Sequence, residues 1–126
     1  MNNQQKAEYK VWWDKEEKIG RIFVKGEVDE KMTIGMMEEG KKLEEEYGPK
    51  INWLVDLSKV TKPILLSRVR KMMAEGIKVT GIGKIAVVGA SIIVRTVINF
   101  IAAVFGKKNL KFFLEEKEAI KWLKKK

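Results

Sequence analysis

Few residues in this chain could carry out chemistry, because its 126 residues include no histidine and no cysteine. Without them the chain lacks the usual general base, the commonest metal ligand and a thiol nucleophile. Carboxylates and lysines would therefore have to provide any acid–base catalysis. The carboxylates are concentrated in segment 30–47, at a spacing typical of the exposed side of a helix. We therefore expect no enzyme activity, no catalytic residue, no cofactor and no metal.

One stretch has the residue types of an anion site. Gly89-Ala90-Ser91 lies where a predicted strand is followed by a helix, and the N–H groups at a helix N-terminus can hold an anion. Arg95 lies one helical turn further on, on the same face as Ser91, and could add a charged donor. Ser91 and Arg95 are thus a candidate anion site. The alternative is a structural arginine that pairs with a neighbouring carboxylate.

The surrounding stretch, Lys84–Phe105, is apolar enough to be compared with a membrane span. Gly89 interrupts it, however, and Ser91 is a good N-cap for the segment that follows. Placing Arg95 at the centre of a bilayer would cost about 2.5–3.5 kcal/mol. The pattern therefore predicts a buried strand at 84–88, a tight turn, and a helix at 91–106.

Apolar residues cover about half the circumference of this predicted helix, whereas a helix on a sheet needs an apolar stripe of roughly 100°. The surplus predicts a second contact, with another helix, another subunit or lipid. The residues expected at such an interface, or facing lipid, are Ile93, Val97, Phe100, Ile101 and Val104.

Charge is distributed unevenly along the chain, whose formal net charge is +9. Residues 1–63 hold 12 basic and 13 acidic side chains, and residues 64–126 hold 14 basic and 4 acidic ones. Such asymmetry favours an anionic partner. The alternative is that lysine-rich helix surfaces only keep the domain in solution. We do not expect nucleic acid binding, because no strand platform that combines aromatic and basic residues and no recognition helix is evident.

Hydrophobic periodicity predicts alternating strands and helices after an opening hairpin. The predicted strands are 9–13, 21–26, 51–57, 84–88 and 110–114, and the predicted helices are 30–47, 64–79, 91–106 and 116–125. The fold class is therefore α/β, a five-stranded mixed sheet flanked by four helices in the order ββαβαβαβα. We expect a flexible tail at 1–8 and a single domain at 9–126. The N-terminal segment lacks the apolar core of a signal peptide, so we expect a cytoplasmic protein.

Four segments carry a family resemblance: YKVWWD…GRIFVKGEVD, WLVDLSKV, KIAVVGASIIVRTVINF and KFFLEEKEAIKWLK. They resemble segments of the SpoIIAA-like proteins, a family related to the STAS domains of anti-sigma-factor antagonists and discussed alongside Sec14-type lipid-binding domains. The resemblance covers about residues 9–124 and implies a STAS/SpoIIAA-like fold with the element order given above. Because these motifs are structural, they imply the fold rather than a function.

In STAS antagonists a serine after the central strand is phosphorylated, within an Asp-Ser-Ser-Gly-like segment. Asp56-Leu57-Ser58-Lys59-Val60 matches the strand end, but the residues that follow it contain no such segment. The resemblance therefore does not carry this switch over to the present chain. Ser58 and Thr61 are the nearest hydroxyl candidates for phosphorylation, with a turn or cap role as the alternative for Ser58.

Two functional classes remain. The first is a non-enzymatic interaction module that forms a homodimer, or docks a protein partner, through the helix at 91–106. The second is binding of a lipid or apolar ligand, or association with an anionic membrane surface, through the same helix and the basic C-terminal half.

Overall fold

The computed structural model describes residues 7–48, 50–62, 83–105 and 109–125, with the side chains at 62 and 100–105 outside the description. These residues form five strands and three helices. In chain order they are β1 (Glu8–Asp14), β2 (Ile19–Glu27), α1 (Glu30–Tyr47), β3 (Trp53–Lys62), β4 (Ile85–Val88), α2 (Ile92–Phe105), β5 (Leu110–Phe113) and α3 (Glu116–Lys124).

The five strands form one sheet in the spatial order β1-β2-β3-β4-β5. β1 and β2 are an antiparallel hairpin, whereas β3, β4 and β5 are each parallel to the strand before them. The predicted α/β class and mixed five-stranded sheet are thereby confirmed. β3 lies at the centre of the sheet, which explains the continuous apolar run in its sequence.

The first helix begins and ends where the sequence predicts. The Asp29 carboxylate accepts a hydrogen bond from the backbone N–H of Met32 at 2.8 Å, which is the N-cap arrangement. Gly48, with a φ of 118°, ends the helix. Gly40 lies within the helix, where a Cβ atom would be 3.6 Å from the Trp53 ring, so α1 runs close to the sheet.

Each face of the sheet carries helices. Leu54, Ala86 and Val88 point to one face, where they form the buried core with Ile19 and with Ala119 and Leu123 of α3. α1 contacts the opposite face, to which Trp53 points. α2 lies on that second face as well, since Arg95 extends over the ring of Phe112, which shares the face of Trp53 by strand register.

Two features differ from the predicted order and bounds. The predicted helix at 64–79 lies outside the described residues, so the described order runs from β3 to β4 with three helices in place of the predicted four. In addition, β3 continues to Lys62, whereas the sequence predicts its end at residue 57. The extension follows from pairing with β2, which persists through two register irregularities, after Phe23 and after Gly26.

Candidate functional site

The carboxyl ends of β3, β4 and β5 meet at one edge of the sheet because these strands are parallel. In open α/β sheets this edge is where ligands and partners commonly bind. It carries the candidate residues that the sequence places after β4 and at the end of the central strand. The candidate site therefore lies at this carboxyl edge of the sheet.

β3 and the turn after β4 lie in close contact at this edge. Gly89 has a φ of +72°, and a Cβ atom on it would lie 2.6 Å from the Ser58 Cβ atom. The Asp56 carboxylate accepts hydrogen bonds from the backbone N–H of Ser58 at 2.9 Å and from the Ser58 hydroxyl at 2.7 Å. Ser58 is exposed, and its hydrogen bonds go to Asp56 in the same strand. The Asp56 carboxylate therefore holds the local backbone conformation and does not line an open cavity.

The two phosphorylation candidates, Ser58 and Thr61, both lie within β3 and are exposed. The strand continues past Ser58 through the irregular pairing with β2, and the hydrogen bonds from Ser58 to Asp56 are local. The alternative of a turn or cap role for Ser58 stays open. The described residues at this edge do not identify either hydroxyl as a phosphorylation site. Phosphorylation of Ser58 or Thr61 stays a prediction.

Ser91 and Arg95 occupy the start of α2 as the sequence predicts. The Ser91 hydroxyl accepts a hydrogen bond from the backbone N–H of Val94 at 3.2 Å, and the Ser91 carbonyl accepts one from the N–H of Arg95 at 2.8 Å. Ser91 is therefore an N-cap. The exposed Arg95 guanidinium lies 5.9 Å from the centre of the Phe112 ring and forms no ion pair within the described residues. Both the carboxylate partner and anion binding therefore stay predictions.

The first turn of α2 presents apolar side chains to solvent. Ile92 is 75% exposed and Ile93 is 61% exposed, whereas Val94 next to them is buried. Of the other residues expected at an interface, Val97 is half-buried. The side chains of Phe100, Ile101 and Val104 lie outside the described residues.

A third exposed apolar residue, Leu114, lies at the same edge, and the sequence interpretation misses it. Leu114 is 88% exposed and follows β5 directly. The backbone N–H of Gly89 donates to the Phe113 carbonyl at 3.0 Å, so the chain just before α2 runs beside the chain just before Leu114. We call Ile92, Ile93 and Leu114 together the carboxyl-end apolar patch.

The opposite, amino end of the sheet is closed by the last turn of α3. The Asn52 amide nitrogen donates to the Leu123 carbonyl at 2.9 Å, and its oxygen accepts from the Lys84 backbone N–H at 2.9 Å. The Lys84 ammonium group donates to the Trp122 carbonyl at 3.1 Å and also to the carbonyl of Lys125. These donors satisfy carbonyls that a helix C-terminus leaves unpaired.

Charged side chains elsewhere are engaged in structural pairs. Arg21 contacts the Asp14 carboxylate at 2.8 Å and also pairs with Glu116, and Lys124 pairs with Glu17 at 2.5 Å. Backbone N–H groups of Glu17 and Glu16 and the Arg21 guanidinium hold the pKa of Asp14 below its usual value, although partial burial opposes them. These pairs join the β1–β2 hairpin to α3. Within the described ranges, no three carboxylates are grouped as a metal site would require.

The model of the SpoIIAA-like family matches residues 19–124, which is most of the chain and every described element from β2 to α3. The chain belongs to the SpoIIAA-like family. The resemblance seen in the sequence is thus confirmed.

One solved structure with this fold is an uncharacterised protein from Shewanella loihica, itself described as SpoIIAA-like in fold. It is similar to this SpoIIAA-like chain with a TM-score of 0.67 and 14% sequence identity, and the match covers 98% of each chain. At this identity the likeness concerns the fold alone. Among curated proteins, no sequence matches this chain. In the described part of the chain, each helix is too short or too polar to cross a membrane.

Proposed function

We propose that this SpoIIAA-like protein is a non-enzymatic interaction module that docks another protein at the carboxyl-end apolar patch. The observation that carries the proposal is the exposure of Ile92, Ile93 and Leu114 at one edge of the sheet. Burying one such side chain fully contributes about 1.5–3 kcal/mol. Three of them at one edge therefore provide a substantial driving force for association.

The contrast with the rest of the described surface supports this choice of edge. The other large hydrophobic residues that are exposed, Ile34 and Tyr47, are 37% and 39% exposed and lie at separate positions on α1. Tyr47 stacks on Trp13 at a ring distance of 4.2 Å, which gives it a partner within the chain. Scattered, half-covered apolar residues are ordinary, whereas grouped and strongly exposed ones mark binding surfaces.

Charge beside the patch favours a protein over an anionic lipid surface. Glu115 directly follows Leu114 in the chain and is exposed. Glu116 and Glu118 are also exposed in the first turn of α3, where Glu116 pairs with Arg21 and Lys117 lies between the two. Carboxylates at this place would be repelled by anionic head groups, since membrane attraction of this kind depends on clustered lysine and arginine. Binding to lipid through this patch is therefore disfavoured.

The experiment is site-specific photo-crosslinking in cells. A benzophenone amino acid placed at position 92 or at position 114 should yield covalent adducts of protein mass. The same group at position 121, on the exposed side of α3, is the matched control and should yield none. Equal protein adducts at all three positions, or only lipid adducts at 92 and 114, would contradict the proposal.

A further inference from the structure

We infer that the protein docked at the carboxyl-end apolar patch is a second copy of this chain, held by reciprocal pairs between Arg95 of one copy and Glu115 of the other. The inference rests on the proposed function, because it names the partner of that same surface. It follows from the arrangement of charge on the two sides of the patch.

The two helices that begin at this edge lie on opposite faces of the sheet. α2 starts at Ile92 on the face of Phe112, and Arg95 extends over that ring. α3 starts after Glu115 and packs on the other face through Ala119 and Leu123. The patch therefore has an exposed cation on one side and exposed carboxylates on the other.

Such a surface is complementary to itself. A two-fold axis through an apolar centre brings each residue of one copy opposite a different residue of the other, and every contact then occurs twice. A two-fold axis that runs across the direction from Arg95 to Glu115 exchanges the two sides of the patch, so Arg95 of each copy approaches Glu115 of the other, whereas an axis along that direction would bring like charges together. A partner with one sign of charge across the whole surface would oppose one of the two sides.

Neither charge has an ion-pair partner among the described residues. Arg95 and Glu115 differ in this from Arg21, which contacts two carboxylates. The first turn of α2 also contains no acidic residue, although carboxylates are favoured at a helix N-terminus. In the two-fold arrangement the carboxylate of the second copy would supply that negative charge.

The test is a charge exchange measured by sedimentation velocity on the intact chain. The single variants Arg95→Glu and Glu115→Arg should each raise the dissociation constant of the dimer about tenfold, because each replaces two attractive pairs with two repulsive ones. Lys121→Glu, on the exposed side of α3, is the matched control and should leave the dissociation constant unchanged.

Mixing the two single variants gives the decisive outcome. The carboxylate introduced at position 95 of one chain then faces the guanidinium introduced at position 115 of the other, while the native Arg95 and Glu115 still pair. Equimolar Arg95→Glu and Glu115→Arg should therefore form a heterodimer with about the wild-type dissociation constant. This rescue requires both variants to be folded, so a folding defect cannot imitate it.

Two results would overturn the inference. One is a wild-type chain that stays monomeric at every concentration, and the other is a dimer whose dissociation constant neither reversal changes. In the first case, protein adducts from positions 92 and 114 to a different polypeptide would leave the proposed function standing. If those positions give no adducts either, the proposed function fails as well.

Discussion

Gly89 packs directly against Ser58, and this contact joins the central strand to the turn that leads into α2. The glycine has a φ of +72°, and a Cβ atom on it would lie 2.6 Å from the Ser58 Cβ atom. Both the backbone conformation and the close approach require glycine here. The first turn of α2, with two of the three patch residues, is positioned by this contact.

Gly89→Ala should therefore lower the free energy of unfolding by about 1–3 kcal/mol. Gly48→Ala is a matched control, because Gly48 also has a positive φ, of 118°, but would bring its Cβ atom within 4 Å of nothing. Urea unfolding of both variants separates backbone strain from the close approach. A loss below about 1 kcal/mol for Gly89→Ala would contradict the account.

Asn52 should be a main stabilising residue at the amino end of the sheet. Its side chain connects the carbonyl of Leu123 to the backbone N–H of Lys84, and both partners are part-buried. Asn52→Ala should lower the free energy of unfolding by about 1–3 kcal/mol, since it leaves those groups unpaired. Asn99→Ala, at an exposed position on α2, is the control and should change it by less than about 0.5 kcal/mol. A similar small effect for Asn52→Ala would contradict the assignment.

Glu44 should contribute more to the stability of the fold in acid than at neutral pH. Burial raises the pKa of its carboxyl above the usual 4.5, and one of its oxygens is buried without a hydrogen-bond partner in the described part of the chain. Its stabilising contribution is therefore fully present below pH 4.5 and is lost as the pH rises through the higher folded-state pKa. Glu44→Gln should unfold a few degrees above the wild type at pH 7, and the difference should close as the pH falls.

Thermal unfolding across this pH range tests the role of Glu44. Glu45→Gln at the exposed neighbouring position is the control and should follow the wild type. A Glu44→Gln variant that is less stable at pH 7 would show that the carboxylate is stabilised when charged.

Asp14 should have the opposite pH dependence. Its pKa lies below the usual 3.8, mainly because the backbone N–H of Glu17 donates to its carboxylate, with the contact to Arg21 adding to the effect. Its contribution is present above pH 3.8 and is lost as the pH falls through the folded-state pKa. Asp14→Asn should therefore be less stable than the wild type at pH 7, and the two should converge in acid. A constant difference down to pH 2 in urea unfolding would contradict this account.

The sequence predicts the fold best where local signals and tertiary contacts agree. α1 has a side-chain cap at Asp29 and a glycine at Gly48, and its predicted bounds are those observed. The strand, turn and helix around Gly89 also follow from residue types alone, because the apolar run is interrupted by a glycine and an N-cap.

The features that the sequence does not predict depend on contacts between distant parts of the chain. β3 continues past Ser58 only because β2 pairs with it through irregular register, and no local signal indicates this. Asn52 lies 71 residues from Leu123, so its role cannot be seen in the sequence. Leu114 has the appearance of the last residue of an apolar strand, yet β5 ends at Phe113 and leaves it exposed.

The central claim, that the carboxyl-end apolar patch binds a second copy of this chain, is tested most directly by light scattering on the intact chain, alone and with anionic vesicles. We predict a mass twice that of the 14.5 kDa chain, unchanged by vesicles and reduced to the monomer by Leu114→Ser. A monomer that moves onto the vesicles and is released by salt would contradict the account. The patch would then be a lipid-binding surface.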